Sequence, residues 1–240
     1  MKLINLIKNK QPWCHFSVDD AWRIFTDRGA EFEFLKSLYD DFGVVTSLYI
    51  FTEPKGKKYL SSIPTGHMKE YPWIKIGPHA PDWNHPLNTL TGQEQIKHLQ
   101  YVCKEIKRIG GSEIFAKNIR LHFYKGSKEA CQFLVRQGCE VLFTQDYWDE
   151  RLSYCLLPNS RKELNKNGWY HEPGLKMDFI KTGSKVEFRK NIKQDTLESL
   201  KKFDFVVFYT HADQLADPTV QKKIRTALEV CRKKNVLFVA

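Results

Sequence analysis

The sequence has no apolar run near the roughly 18–20 residues that would cross a bilayer as a helix, which excludes an integral helical membrane protein. It has no CxxC pair. Its six cysteines (Cys14, Cys103, Cys131, Cys139, Cys155, Cys231) are scattered, which argues against zinc knuckles and thioredoxin-type chemistry. It has no internal repeat, no low-complexity linker, no collagen period and no sustained heptads, so solenoids, collagen-like chains and coiled coils are excluded. Residues 1–10 carry charge but lead into no apolar h-region and no small-residue cleavage site, so no secretory signal is expected. Scattered thiols without such a signal point to a reducing cytoplasm.

What is present is a chain of 240 residues, 42% hydrophobic and 13% aromatic, too apolar for a disordered protein. A chain of this length buries roughly 70–75% of its unfolded surface and needs neither disulfide nor metal to fold. A single domain over 1–240 is expected. The 38 Lys and Arg against 28 Asp and Glu leave a formal charge of +10. Such an excess suits nucleic acid, an anionic membrane surface or an acidic substrate. The basic residues are interleaved with acidic ones, and no recognition-helix or RNP pattern accompanies them, so no specific nucleic-acid partner is expected.

Apolar patterning alternates between strand and helix periods. Residues 14–18, 44–51, 73–76, 119–123, 141–144, 205–209 and 236–239 read as strands. Helices are expected over 32–42, closed by Gly43; over 91–108, opened by Thr91; over 127–137, closed by Gly138; over 196–202; and over 218–234. The stretch 156–168 is irregular, and Phe179 and residues 186–188 read as edge strands. The alternation predicts an α/β fold with a parallel sheet, most simply closed into a barrel.

Asp19-Asp20, His79, His122, Asp146 and His211 all lie at or just beyond a predicted strand. In parallel α/β folds that rim carries the site. One carboxylate and two imidazoles suffice to hold a divalent metal with a position open for water; a second carboxylate can take the water's proton, and a separate His can protonate a leaving group. Asp19 and Asp20 would face opposite ways on an extended strand but can share a site just beyond its end. The short loop between His79 and His85 can bring both imidazoles to one ion.

These residues resemble the NodB-homology polysaccharide deacetylases of carbohydrate esterase family 4. Phe16-Ser17-Val18-Asp19-Asp20-Ala21 resembles the family's T-F-D-D-G strand end, which implies Asp19 as general base and Asp20 as metal ligand. Gly77-Pro78-His79-Ala80, leading to His85-Pro86-Leu87, resembles G-x-H-[ST]-x-x-H-P with two extra residues and Ala80 in place of the hydroxyl residue, implying His79 and His85 as the metal histidines. Arg120-Leu121-His122-Phe123-Tyr124 followed by Lys125-Gly126-Ser127 is similar to R-x-P-[FY]-G, but longer and without proline. His122 has no counterpart there, and is left either to line the site or to replace a ligand. The segment ending in Asp146 resembles the family's L-G-Y-x-x-V-x-W-x-x-D stretch, and Val206 to His211 resembles the late strand ending in the general acid, His211.

The resemblance implies a distorted (β/α)7 barrel and removal of an N- or O-acetyl group from a sugar, with a divalent metal as cofactor: zinc, or cobalt, nickel or manganese. Arg120, His122, Tyr124, Asp146 and Trp83 would contact the carbohydrate substrate. A cytoplasmic enzyme of this kind would act on a nucleotide- or lipid-linked precursor in O-antigen or capsule synthesis, with peripheral contact to an anionic membrane. The rival expectations are a sugar-binding member without turnover and a metal hydrolase of another amide or a glycosidic bond.

Overall fold

The computed structural model describes residues 3–22, 29–53, 59–85, 87–144 and 154–240. Two sheets make the wall. In the first, β1 (Trp13–Asp19) pairs in parallel along its length with β9 (Phe205–His211), and β9 pairs with the short β8 (Ser184–Lys185). On its other side β1 meets β10 (Leu237–Val239) over residues 13–15 and β2 (Thr46–Phe51) at Ser17 and Val18; β2 continues to β3 (Ile74–Ala80). The second sheet runs β4 (Asn118–Ile119), β5 (Val141–Thr144), β7 (Met177–Lys181), with β6 (Trp169–Glu172) antiparallel on β7. A single parallel bridge, Ile76 to Phe115, links the sheets beside β3 and β4. The result is the distorted α/β barrel expected from the alternation, its crossover helices on the outside.

The strands read as near-continuous apolar runs because both faces are covered: every residue of β1, β2, β5 and β7 is buried. The covering helices are α2 (Ala30–Phe42), α3 (Gly92–Gly110), α4 (Lys128–Arg136), α5 (Pro158–Asn167), α6 (Ile192–Phe203) and α7 (Pro218–Lys233), after a short α1 (Leu3–Lys8). Their ends follow local chemistry. Gly43 closes α2 at φ +71°, a left-handed turn that glycine makes without strain. Thr91 opens α3 in a reciprocal capping box with Glu94.

Three expectations need correction. Residues 119–123 do not continue as a strand: β4 ends at Ile119, and His122–Tyr124 is a tight turn with Phe123 and Tyr124 at φ +54° and +55°. The stretch 156–168 holds a helix, α5, which escapes a periodicity reading because only Ser160 and Leu164 of it are buried. Phe179 lies in the fully buried β7, not at an edge, and Val186–Phe188 is one 3₁₀ turn. No helix of the described residues is long and apolar enough to cross a membrane.

Candidate metal centre and its acid–base groups

The carboxyl ends of β1, β3, β4 and β9 converge on one rim. Asp19 ends β1, in register with His211 at the end of β9. Asp20 follows at φ +58°. An extended Asp20 would point away from Asp19; the left-handed turn brings both carboxylates, each 3% exposed, to the rim. Aspartate adopts this conformation more readily than most residues, at a cost of about 1 kcal/mol.

His79 reaches the rim through a bulge. Ile50 is opposite Pro78 and Phe51 opposite Ala80, so His79 is the extra residue on β3. Its Nδ1 donates to the carbonyl of Arg120 at 2.7 Å, which fixes the tautomer and leaves the Nε2 lone pair facing Asp20 Oδ1 at 3.3 Å. His122 completes the cluster: its Nδ1 lies 3.1 Å from His79 Nε2 and 3.9 Å from Asp20 Oδ1. Burial, and then the neighbouring His79, push the His122 pKa down to about 3, so the imidazole is neutral at pH 7, the form that binds metal. Asp20, His79 and His122 are all buried and each offers one ligand atom to a common point. Among the described residues, neither Asp20 oxygen accepts a hydrogen bond and His122 Nε2 has no partner. A buried carboxylate left so is costly unless a cation occupies the point it faces.

Arg120 braces the second carboxylate. Its Nη1 donates to Asp19 Oδ1 and to Ser17 Oγ, each at 2.9 Å, and Nη2 to Thr182 Oγ1 at 3.2 Å. The guanidinium stacks 4.1 Å from the Tyr209 ring centroid, and the Tyr209 and Tyr124 hydroxyls are 2.9 Å apart. Burial opposes the Arg120 charge, but Asp19 together with Tyr124, Tyr49 and Tyr209 offsets it, and the pKa is raised overall.

On the far side, His211 Nδ1 lies 2.6 Å from Glu187 Oε1 while Nε2 faces Asp20 Oδ2 at 3.9 Å. Burial of His211 works against its charge, yet the hydrogen bond to Glu187 and the carboxylates of Asp19 and Asp20 raise its pKa overall. Glu187 is pushed up by burial but held low overall by the same bond.

The structure thus brings together Asp19, Asp20, His79, Arg120, His122, Tyr124 and His211. It does not bring His85 to the cluster. That side chain is 64% exposed, and its Nδ1 is held by both oxygens of Asp82, which also accepts the backbone N–H groups of Asn84 and His85. This local turn ties the two extra residues of the loop in place, and His122 takes the third position. Trp83 is 52% exposed, with its ring 5.3 Å from Phe51 and 6.4 Å from His122; Phe123, 49% exposed, lies 4.0 Å from His122 on the other side. Asp146 lies outside the described residues. Glu187 went unread in the sequence, where only Val186 and Phe188 flank it between Lys185 and Arg189 and nothing marks it as a site residue.

No family model and no curated protein matches the sequence. Solved structures do. The chain is similar to a 4-alpha-glucanotransferase from Thermococcus litoralis (TM-score 0.56, 14% identity, 95% of this chain and 37% of that one). It is similar to the chitin deacetylase of the fungal pathogen Colletotrichum lindemuthianum (TM-score 0.51, 15% identity, 95% and 85%). It is also similar to a family 4 acetyl xylan esterase from Clostridium thermocellum, solved with a cobalt ion (TM-score 0.51, 10% identity, 95% and 87%). At these identities the likeness is one of fold.

Proposed function

We propose that this barrel is a metal-dependent deacetylase of acetylated sugars. The observation that carries the reading is the buried Asp20 carboxylate, without a hydrogen-bond donor on either oxygen among the described residues, facing the imidazoles of His79 and His122. The donor set fits a divalent cation. Tetrahedral zinc with bonds near 2.0–2.1 Å puts its ligand atoms roughly 3.3–3.5 Å apart, and the three ligand atoms here are 3.1, 3.3 and 3.9 Å apart. Two nitrogens and one oxygen suit zinc, with cobalt, nickel and manganese as alternatives. When bound, the cation would polarise the acyl carbonyl and make a water molecule more acidic.

The chain's own residues supply the rest. Asp19, positioned by Arg120, takes the proton of the attacking water. His211 carries a proton on Nε2, supported through Nδ1 by Glu187, and gives it to the departing nitrogen or oxygen. The exposed rings of Trp83 and Phe123 border the cluster and offer stacking faces to a pyranose. The cobalt-bound esterase and the chitin deacetylase among the similar structures support both the metal and the acyl-transfer chemistry. The charge of +10 favours an anionic acceptor, such as a nucleotide- or lipid-linked acetylated amino sugar in surface-polysaccharide synthesis. The six cysteines are free, in keeping with a cytoplasmic enzyme.

The test is elemental analysis of the purified protein with acetate release from acetylated amino sugars, for wild type, Asp20→Ala and Asp20→Asn. Near-stoichiometric divalent metal and acetate release in wild type, both lost in the variants, are expected. A wild type that binds no zinc, cobalt, nickel or manganese on titration overturns the reading.

A further inference from the structure

We propose that Tyr154 is a positioning residue for His122 and thereby sets the affinity of the metal centre. The assignment rests on reading Asp20, His79 and His122 as metal ligands. His122 sits on a turn that does not hold itself well. The two residues after it, Phe123 and Tyr124, are both in the left-handed region, which disfavours side chains of this size. Within the turn, the Tyr124 N–H donates to the Leu121 carbonyl at 2.9 Å, and the next bond, Lys125 N–H to the His122 carbonyl, is long at 3.4 Å.

Tyr154 grips this turn from outside at both ends. Its hydroxyl accepts from the Leu121 N–H at 3.1 Å and donates to the Phe143 carbonyl on β5 at 2.9 Å. Its own N–H donates to the Tyr124 carbonyl at 2.8 Å. One residue therefore fixes the backbone on either side of His122 and Phe123 and ties it to a buried strand. Its ring packs on Phe179 at 5.8 Å, and the next residue, Cys155, places its sulfur 3.9 Å from that of Cys131 on α4, so the grip is anchored in the core. Tyr154 touches no ligand side chain in these contacts. Its effect runs through the backbone that aims the imidazole.

Removing the hydroxyl in Tyr154→Phe frees the Leu121 N–H and lets the turn relax, turning His122 away from Asp20 and His79. Partners that orient a ligand typically govern metal affinity by roughly ten- to a hundredfold. Zinc affinity, measured by chelator competition, is expected to fall roughly tenfold in Tyr154→Phe, and the cobalt-loaded protein is expected to show a shifted visible absorption band. Adding Phe123→Gly should recover part of that affinity, because glycine adopts the left-handed turn without strain. A purely structural tyrosine would lower thermal stability but leave the affinity and cobalt spectrum of the folded protein unchanged; that result overturns the assignment. Linkage gives a second test in wild type, independent of how the variant folds. If the grip favours metal binding, then saturating zinc must slow hydrogen exchange at the Leu121 and Tyr154 amides. Unchanged exchange at both amides overturns the assignment. A wild type that binds neither zinc nor cobalt overturns the metal-site reading and the assignment with it, whereas zinc binding with unaltered affinity in Tyr154→Phe overturns the assignment alone.

Discussion

Glu187 and His211 show how far one contact sets a chemical role. Burial alone would lower the pKa of His211; the Glu187 carboxylate 2.6 Å from Nδ1, together with Asp19 and Asp20, raises it overall. A raised pKa means that the protonated, proton-donating form persists to higher pH. Glu187→Gln keeps the shape, removes the charge and lowers that pKa. The alkaline limb of the kcat profile for acetate release should therefore move to lower pH. An unmoved limb would mean that the observed titration belongs to another group. The same scale explains what the sequence could and could not tell. Asp19, Asp20 and His211 announced themselves by ending apolar strands, and His79 by following Gly77 and Pro78. Glu187 could not, because its partner lies 24 residues away and on a different strand end.

At the scale of elements, helix ends and strand irregularities decide where side chains go. Thr91 and Glu94 satisfy each other's backbone N–H groups at the start of α3, the helix that buries Leu99, Val102, Ile106 and Ile109 against the barrel. Thr91→Ala should cost about 1 kcal/mol in denaturant unfolding, with an unchanged m-value. The alternating pattern of strands and helices was legible because both faces of the parallel strands are covered, which concentrates apolar residues into short runs. Less legible were the elements whose conformation is imposed by neighbours. The turn His122–Tyr124 is written in aromatic residues with strand preference, yet two of them are left-handed. The bulge at His79 depends on the register of β2 beside it, and α5 exposes most of its length. In each case tertiary packing overrides a local signal.

At the scale of the whole molecule, the candidate centre lies where the two sheets meet. Asp20 and His79 belong to the larger sheet, whereas His122 follows β4 of the smaller one, and Arg120 reaches from β4 to Asp19 and to Thr182 just after β7. Among the described residues, β3 meets the backbone just ahead of β4 through one isolated bridge, Ile76 to Phe115. A cation held by all three ligands would couple the sheets, so its binding should be read out by the global unfolding transition. At about a hundred times its dissociation constant it adds about 2.7 kcal/mol. For a chain of this size that raises Tm by roughly 5–10 °C. Calorimetry with zinc and with EDTA should show that gap in wild type and none in Asp20→Ala. Equal Tm values in wild type would mean that no tight cation site spans the sheets.

The second imidazole of the cluster comes from a turn 43 positions beyond His79, two residues after the arginine that braces Asp19. If Asp20, His79 and His122 hold the cation, loss of the His85 imidazole leaves that set whole, whereas loss of the His122 imidazole removes one of its members. Distant cousins should be sought by an Asp-Asp strand end paired with Arg-x-His roughly a hundred positions later.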